Sequence, residues 1–322
     1  MNQARLSAIG MAVPEKKVVN SFYETLIDTT DEWIQSRTGI KTRYHTEQDE
    51  FTSHLCVKAV QDMVERYRVN LDDVDMIIVS TVTPDQPMPS MACQVQHRLN
   101  MPRAGAFDAY AACAGFSYGV VLAKGLIAAG THQKVLVIGA DTLSKVTDFS
   151  DRTSCVLFGD GAGAVLIEAA DTGNIGDCVT GANGENGPDL YISGFAETID
   201  GQPLKMNRTI VQNGKKVFKW AVIKVAEQMR VLAEKNGLTL DQIDWFVPHS
   251  ANLRIIEAIC NETGFPMEKV LESIVDYGNT SSASIPIALN NGILSGKVKR
   301  GDKVMLLGFG GGLAYAGTII VW

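Results

Sequence analysis

The chain has 322 residues, enough to bury one large hydrophobic core or two of medium size. Hydrophobic residues make up 46% and charged residues 20%, a composition that excludes an intrinsically disordered chain. A formal net charge of −7 argues against general affinity for nucleic acid. The six cysteines form no CxxC pair and show no metal-ligand spacing with the five histidines, which predicts reduced thiols in the cytosol and no metal site.

Strands and helices alternate from the beginning of the chain. The apolar run from Leu6 to Val13 predicts a first strand, since it is short for a signal peptide and charged residues follow Pro14. A helix is predicted over about residues 52–67, with an apolar strand after it. The most apolar stretch, residues 111–130, contains Lys124 and several glycines, so we predict no membrane span.

Cys113 is the first candidate catalytic residue. The apolar stretch from Gly105 to Ala112 leads into it, and a helix-like stretch from Ala114 to Ala129 leads away and stops at Gly130. This order places the sulfur at a strand-to-helix turn, where unpaired N–H groups and the helix dipole favour anions. We therefore expect the thiol, whose free pKa is about 8.5, to be driven toward thiolate. A buried and unreactive cysteine is the ordinary alternative.

An internal duplication organises the chain. Residues 70–78 resemble residues 239–247, and residues 134–139 resemble residues 303–308, in both cases with an offset of 169 positions. Two short apolar strands can resemble each other by chance, but chance does not explain the shared spacing. Each half therefore repeats one order of elements, and the second copy of the leading helix is predicted over about residues 217–236.

The repeated order predicts the architecture. Alternating helices and unbroken Val/Ile/Leu strands indicate sheets that are covered by helices on both faces. Two such halves, packed together, make a pseudo-twofold α/β molecule of five layers. We expect the boundary near the polar, glycine-rich stretch Asp171–Gly187, with one half in residues 1–172 and the other in residues 173–322.

Two further turns carry polar residues in the second half. His249 directly follows a predicted strand, and Asn279 lies in the segment that duplicates the cysteine turn. Pseudo-twofold packing brings the strand ends of both halves toward each other, so Cys113, His249 and Asn279 are expected to converge. Each polar segment alone is typical of an ordinary turn. Their combination predicts an active site.

Six motifs extend this constellation nearly from end to end of the chain: Asp31–Ile40, Ala111–Phe116, Phe158–Ala164, His249 with Ala251–Arg254, Gly278–Ser281 and Phe309–Gly312. Together they resemble the β-ketoacyl-acyl-carrier-protein synthase III enzymes of the thiolase-like superfamily. The pairing of His with Asn separates this class from elongating synthases, which have two His, and from biosynthetic thiolases, which have His and a second Cys. The resemblance implies the thiolase-like five-layered αβαβα fold, built from two duplicated halves.

The resemblance also implies a two-step reaction that starts fatty acid synthesis without a metal or organic cofactor. Cys113 attacks an acyl-CoA thioester, and the N–H groups of Cys113 and Gly311 form the oxyanion hole. Malonyl-acyl carrier protein then loses CO₂ while His249 and Asn279 donate hydrogen bonds to its thioester carbonyl. The carbanion attacks the acyl group and gives 3-ketoacyl-acyl carrier protein. The implied partners are a second copy of the chain, acyl-CoA and the carrier protein, in the cytoplasm.

Binding positions are carried over from the same motifs. They are Thr29, Trp33, Arg37, Arg152 and Asn252 for CoA, Met88, Leu143, Phe158, Leu190 and Phe309 for the primer pocket, and Lys219 and Arg254 for docking of the carrier protein. Trp33 and Arg152 are expected to sandwich the adenine. An aromatic anchor and exposed helix charges are the ordinary alternatives for such residues.

Three positions depart from the family pattern. Ser250 stands where Gln often follows the histidine, and we expect a minor effect. Asn261-Glu262 replaces a basic pair expected after a helix of the second half, which predicts a weaker docking patch. Met88 replaces an aromatic residue that reaches into the primer pocket of the partner subunit. Because Met is thinner and more flexible, this change predicts acceptance of longer or branched primers.

Four alternatives compete with this interpretation. Residues 115–119 fit the G-x-S-x-G elbow of a serine hydrolase with Ser117 as nucleophile, but Ser117 falls a full turn inside the predicted helix. Residues 159–164 loosely fit a dinucleotide fingerprint, but a strand follows where that motif needs a helix, so the glycines predict a tight strand-to-strand turn. An inactive acyl-binding scaffold and a synthase III relative from a secondary-metabolite pathway are the others.

Overall fold

The computed structural model describes residues 3–322 and contains fifteen strands within that range. They are β1 (Gln3–Ala12), β2 (Lys17–Val19), β3 (Thr42–Tyr44), β4 (Met76–Ser80), β5 (Gly105–Asp108), β6 (Lys134–Thr142), β7 (Asp160–Ala170), β8 (Ile175–Ala182), β9 (Leu190–Ile192), β10 (Thr198–Ile199), β11 (Gln202–Pro203), β12 (Ile210–Gln212), β13 (Trp245–Pro248), β14 (Lys303–Gly310) and β15 (Ala314–Val321). The first predicted strand is confirmed by β1.

Nine α-helices lie in the described residues: α1 (Ser21–Glu24), α2 (Asp31–Thr38), α3 (Thr52–Tyr67), α4 (Met91–Arg98), α5 (Gly115–Ala128), α6 (Gly214–Lys235), α7 (Leu253–Thr263), α8 (Ile274–Tyr277) and α9 (Ser284–Leu294). Short 3₁₀ segments include Ala112–Ala114 and Ser281–Ala283, which precede α5 and α9 directly. The two predicted leading helices are α3, at its predicted bounds, and α6, which begins three residues earlier than predicted. Within residues 3–322, none of the helices combines the length and the apolar character that crossing a membrane requires.

Two sheets carry the fold and repeat one strand order. The first sheet has the order β1-β7-β6-β4-β5, and the second has the order β13-β14-β15-β8. In this comparison β4, β6, β7 and β1 correspond to β13, β14, β15 and β8, and the pairs β4–β6 and β13–β14 are both parallel. The counterpart of β5 in the second sheet is reduced to a bridge between Phe246 and Val270. The predicted duplication is therefore visible in the strand order.

Helices α5 and α9 form the middle layer between the sheets. They share one buried apolar cluster with both sheets, including Val120, Leu289, Val137 and Leu306. Helices α3 and α4 cover the outer face of the first sheet, and α6 and α7 cover that of the second. Lys124, the one charge of α5, donates from Nζ to the Gly176 carbonyl at 2.7 Å, which keeps the charge at the rim of the layer. The five-layered fold is confirmed.

The glycine-rich segment before residue 165 is not the tight turn that we predicted. Gly161 and Gly163 lie inside β7, and a strand rather than a helix continues from them, as predicted. A Cβ added at Gly163 would stand 2.5 Å from the Pro286 side chain, and one at Gly161 would stand 2.9 Å from Ile287. The glycines therefore allow α9 to pack closely on the strand.

The connection between the two sheets is shorter than the polar stretch predicted for it. The chain leaves the first sheet at Ala170 and enters the second at Ile175, so residues 171–187 contain a whole strand, β8. The glycines of β8 suit this position because Gly181 faces the Tyr315 ring, where a side chain would not fit. We propose that the division at residues 172 and 173, which falls in this connection, separates the two halves.

Candidate active site

Cys113 lies in a strained turn between β5 and α5. We call residues Ala112–Ala114 the cysteine turn. Its first residue, Ala112, has φ +44°, in the left-handed region that residues with a side chain rarely adopt. The Ala114 N–H donates to the Ala111 carbonyl at 3.1 Å and closes the turn. The cysteine therefore sits at the N-terminal end of the buried helix α5, as the sequence predicted.

The same turn recurs in the second half, at Ser281–Ala283, which we call the serine turn. Ser281 has φ +52°, and helix α9 follows the turn as α5 follows the first one. The Ser281 hydroxyl donates to Cys113 Sγ at 3.4 Å, so the two turns touch. At the offset of the duplication the counterpart of Cys113 is Ser282, which lies three positions beyond Asn279 in the segment that the sequence comparison matched to the cysteine turn.

A cavity of about 430 Å³ brings the three predicted catalytic side chains together. Cys113, His249 and Asn279 all line it, and so does Gly311. Asn279 is held by a parallel bridge to Phe158, in which its N–H donates to the Leu157 carbonyl at 2.8 Å. Its side-chain Oδ1 accepts from the Ser281 N–H at 2.9 Å, so its Nδ2 remains to donate to a ligand.

His249 directly follows β13 and is almost fully buried. Its Nδ1 lies 2.8 Å from the hydroxyl of Ser284, the first residue of α9, and the edge of its ring packs against Phe309. A backbone hydrogen bond with Ser281 adds to these contacts. Burial lowers the pKa of His249 to about 3, so the imidazole is neutral at physiological pH and resists protonation.

The thiol of Cys113 does not have the thiolate character that the sequence predicted. Burial raises its pKa to about 11, and the negative charge of Asp141 adds to this effect. Hydrogen bonds from the Ser281 hydroxyl and from the N–H groups of Gly311 and Cys113 act in the opposite direction but do not offset it. The prediction was wrong because the loss of water around the sulfur outweighs the position at a helix N-terminus.

Comparisons with known proteins give the family. Residues 107–184 match the model described as 3-oxoacyl-[acyl-carrier-protein] synthase III, and residues 233–322 match the model of its C-terminal part. The curated β-ketoacyl-[acyl-carrier-protein] synthase III 2 of Halalkalibacterium halodurans is 52% identical over 325 residues, covering 100% of this chain and 97% of that protein. The chain belongs to the 3-oxoacyl-[acyl-carrier-protein] synthase III family.

Two further members of the synthase III family support the match. The Bacillus subtilis protein of the same name is 49% identical over 323 residues, covering 100% of this chain and 99% of its own length. The solved structure of β-ketoacyl-[acyl-carrier-protein] synthase III from Thermus thermophilus superposes with a TM-score of 0.96 at 42% identity and covers 99% of both chains. The family, the fold and the class of condensing acyltransferase predicted from the sequence are confirmed.

The residues predicted to bind CoA in this synthase III chain are only partly assembled. Asn252 lines the cavity and donates from Nδ2 to the Arg37 carbonyl at 3.3 Å. Thr29 is buried, and its hydroxyl has no hydrogen-bond partner within residues 3–322. The Arg152 guanidinium stacks on Trp33, with Cζ 4.5 Å from the ring centroid, so there is no space for an adenine between them. The predicted sandwich therefore requires this pair to open.

Four of the five predicted primer-pocket residues line the same cavity: Leu143, Phe158, Leu190 and Phe309. Met88 does not. It lies in the segment between β4 and α4, and its side chain is 85% exposed. Its role in the pocket of a partner subunit stays a prediction.

The predicted docking residues lie on α6 and α7. Lys219 is exposed, whereas Arg254 is half-buried and pairs with Glu257 at 2.6 Å. Asn261 and Glu262 lie in the last turn of α7, not after it as predicted, because the helix continues to Thr263 and ends at Gly264 with φ +73°. Both are exposed, and a positive charge at this end of α7 comes instead from Arg230 of α6, whose guanidinium donates to the Glu262 carbonyl at 2.7 Å.

The serine hydrolase alternative does not fit the structure. Ser117 is the third residue of α5 and is buried, and its hydroxyl lies against Gly308 instead of lining the cavity with His249. That hydroxyl has no hydrogen-bond partner within the described residues. A nucleophile elbow instead presents its serine on the turn before the helix.

Sequence reasoning missed the polar residues that support the site. Ser281 contacts the cysteine sulfur, and Ser284 contacts His249. Ser250, expected to matter little, is fully buried; its N–H donates to Ser284 Oγ at 3.2 Å and its own Oγ accepts from the Ser273 N–H at 3.0 Å. Adding the offset of 169 positions to Cys113 would have given Ser282 as its counterpart. It would also have drawn attention to the neighbouring Ser281.

Proposed function

We propose that this chain joins a short acyl-CoA primer to malonyl-acyl carrier protein and so starts fatty acid synthesis. The observation that carries the proposal is the cavity shared by Cys113, His249 and Asn279. A sulfur nucleophile, a neutral imidazole and a carboxamide donor are the groups that acyl transfer and enolate stabilisation need.

In the first step, Cys113 Sγ attacks the carbonyl carbon of the acyl-CoA thioester. The thiol is protonated at neutral pH, so its proton leaves to solvent as the new S–C bond forms. The N–H groups of Cys113 and Gly311, which lie beside the sulfur at the cavity wall, donate to the developing oxyanion. The C–S bond to CoA then breaks, and the CoA thiolate takes up a proton from solvent.

In the second step, malonyl-acyl carrier protein enters the cavity and loses CO₂. The electron pair of the broken C–C bond moves into the thioester as an enolate, to whose oxygen Asn279 Nδ2 and a ring N–H of His249 donate. The enolate carbon attacks the acyl carbonyl, and Cys113 leaves as a thiolate that is reprotonated from water. Because the thioester carbonyl is the electron sink, we propose that no metal or organic cofactor takes part.

The proposal is tested by mixing the enzyme with one equivalent of butyryl-CoA and measuring free CoA. The wild type should release about one CoA per active site before any carrier protein is added, and Cys113→Ala should release none. Cys93→Ala, which removes an exposed cysteine on α4, is the matched control and should behave as the wild type. CoA release by Cys113→Ala at the wild-type rate would refute the proposal, and so would a wild type that releases no CoA.

We infer that CoA lies along the surface of α2 and the start of α7. Asn252 at the cavity wall is in position for the pantetheine arm, and Arg37 is exposed beside it for the phosphates. Trp33 and Arg152 would take the adenine after their stacked pair opens. Thr29 has a buried hydroxyl that is free to bond.

We propose that the active form is a homodimer in the cytosol. Strand β5 ends the first sheet and has one hydrogen-bonded neighbour, β4, so its other edge is open to a second copy. Apolar side chains lie at this edge, with Phe107 38% exposed and Tyr110 72% exposed. The carrier protein, which is acidic in this family, would approach the basic residues Lys219 and Arg254 on the other half.

Met88 is proposed to shape the primer pocket across such a dimer. Replacing it with Phe should narrow the pocket, because an aromatic ring is wider and stiffer than a thioether chain. We expect Met88→Phe to lower the ratio of kcat/KM for isobutyryl-CoA to that for acetyl-CoA by about tenfold. Competition between the two primers measures this ratio, and Met267→Phe, at a partly exposed Met of the second half, is the control. An unchanged ratio in a dimeric Met88→Phe protein would contradict the proposal.

A further inference from the structure

We propose that Ser281 is a catalytic residue whose hydroxyl stabilises the Cys113 sulfur as its proton leaves, and that Asp141 is the positioning residue that holds Ser281 in place. The inference rests on the proposed function, because it adds two residues to the acyl-transfer step. Its starting point is the contact of 3.4 Å between Ser281 Oγ and Cys113 Sγ.

The sulfur has few other groups to stabilise its negative charge. The largest contributions that lower the pKa of Cys113 come from the Ser281 hydroxyl and the N–H groups of Gly311 and Cys113. During acyl transfer these two N–H groups serve the oxyanion of the substrate. The Ser281 hydroxyl is then the donor that remains for the sulfur, both when the thiol is deprotonated and when the thiolate leaves in the second step.

Ser281 is held in a backbone conformation that it would not adopt freely. A φ of +52° is unfavourable for a non-glycine residue and persists only where surrounding contacts impose it. On one side the Ser281 N–H is bonded to Asn279 Oδ1 at 2.9 Å. On the other side the next residue, Ser282, is bonded through both its N–H and its hydroxyl to Asp141.

Asp141 is fully buried at the end of β6 and accepts hydrogen bonds from two directions. Its Oδ2 accepts from the Ser282 N–H at 3.3 Å and from the Ser282 hydroxyl at 2.9 Å. Its Oδ1 accepts from the Val82 N–H at 2.7 Å and from the Thr81 hydroxyl at 3.0 Å, both in the loop after β4. The carboxyl group thus ties the serine turn to the first sheet, directly beside the nucleophile.

The test of Ser281 uses the rate of Cys113 alkylation by iodoacetamide at fixed pH, together with the rate of CoA release from butyryl-CoA. Ser281→Ala and Ser281→Gly should both be about 10- to 100-fold slower in each assay, the effect of losing a hydrogen bond to a charged group. Glycine accepts a left-handed backbone without strain, so the pair separates the hydroxyl from the backbone. Ser117→Ala removes a buried hydroxyl one turn away and should stay within twofold of the wild type.

Wild-type rates in either Ser281 variant would overturn the catalytic role, and so would an equal loss in Ser117→Ala. The two proposals fail differently. A wild type that is alkylated at Cys113 but releases no CoA would refute the proposed function, and the alkylation comparison would still decide the role of Ser281.

The positioning role of Asp141 is tested by a double-mutant cycle. Asp141→Asn removes a charge that raises the pKa of Cys113, which by itself favours alkylation. We expect it to slow alkylation nevertheless, because an amide nitrogen in place of either oxygen would face an N–H donor and release the serine turn. If Asp141 acts through Ser281, this loss should disappear when the same change is made in Ser281→Ala. A loss of the same size in both backgrounds would overturn the role. Should Asp141→Asn not fold, Ser282→Ala cuts the same link and has the same expected outcomes.

Discussion

The cysteine turn and the serine turn are two copies of one structural unit with different surroundings. Both begin with a residue at positive φ, both are 3₁₀ segments, and both lead into a helix of the middle layer. Even their supporting glycines correspond, since Gly139 and Gly308 are separated by the offset of the duplication. A Cβ at Gly139 would meet the Ser282 carbonyl at 2.5 Å, and one at Gly308 would meet Ala114 Cα at 3.0 Å.

The difference lies in the residue beneath each turn. Asp141 on β6 binds Ser282 of the serine turn, whereas its counterpart on β14, at the same offset, is Gly310. A Cβ at Gly310 would stand 2.6 Å from Cys113 Cβ. One copy of the unit is therefore fixed by a polar network, while the other keeps an uncharged space in which the thiol can react. The same backbone unit therefore provides a rigid support in the second half and carries the reactive thiol in the first half.

The largest expected effect concerns the protonation of the cysteine turn. Because the pKa of Cys113 is about 11, the thiolate fraction should rise about tenfold per pH unit, and about a thousandfold from pH 7 to pH 10. The rate of Cys113 alkylation by iodoacetamide, followed by mass spectrometry of its peptide, measures this rise. If the alkylation rate reached a plateau below pH 9, Cys113 would already be a thiolate. The proposed difference between an uncharged cysteine turn and a polar serine turn would then be contradicted.

The imidazole that contacts the serine turn should make the fold sensitive to acid. The pKa of His249 is about 3 in the folded chain and near 6.5 when unfolded, so the unfolded state takes up the proton first as pH falls. Stability from this residue is complete above pH 6.5 and is lost toward pH 3, amounting to about 3 kcal/mol between pH 7 and pH 4. Urea unfolding of the wild type and His249→Gln should show a smaller acid loss in the variant. Equal losses would contradict the assignment.

The smallest of the three effects comes from filling the space under the cysteine turn. Gly310→Ala should displace Cys113 and lower the rate of CoA release about a hundredfold, the cost of a misplacement of about 1 Å. Single-turnover CoA release measures it. Gly125→Ala, in α5 with no atom within 4 Å of the added carbon, is the matched control and should keep wild-type activity. Full activity of Gly310→Ala would contradict the prediction that Cys113 needs a residue without a side chain at position 310.

The repeated apolar strands made the fold predictable from the sequence. Their constant offset determined which elements correspond, and α3 begins and ends at the residues predicted for it. Gly161 and Gly163 were misplaced because their role is to admit α9, a contact between residues far apart in sequence. Strand β8 was missed because its polar and glycine-rich sequence has the composition of a loop.

The convergence of Cys113, His249 and Asn279 was predictable because pseudo-twofold packing dictates where strand ends meet. The charge state of the thiol was not, because the loss of water around the sulfur is a property of the packed site. Ser281 was not singled out because its contact with the sulfur depends on a left-handed backbone conformation at this residue. Nothing in the sequence indicates that a serine adopts this conformation here.

The stacked pair of Trp33 and Arg152 has a consequence for the affinity of the proposed CoA site. The guanidinium over the half-buried Trp33 indole is worth about 0.5–1 kcal/mol, and an incoming adenine must first break that contact. The free enzyme thus competes with its own ligand and weakens the nucleotide contact by about two- to fivefold. In the proposed reaction the same closure would help to expel spent CoA, which has to depart before the carrier-bound substrate can reach the acylated sulfur.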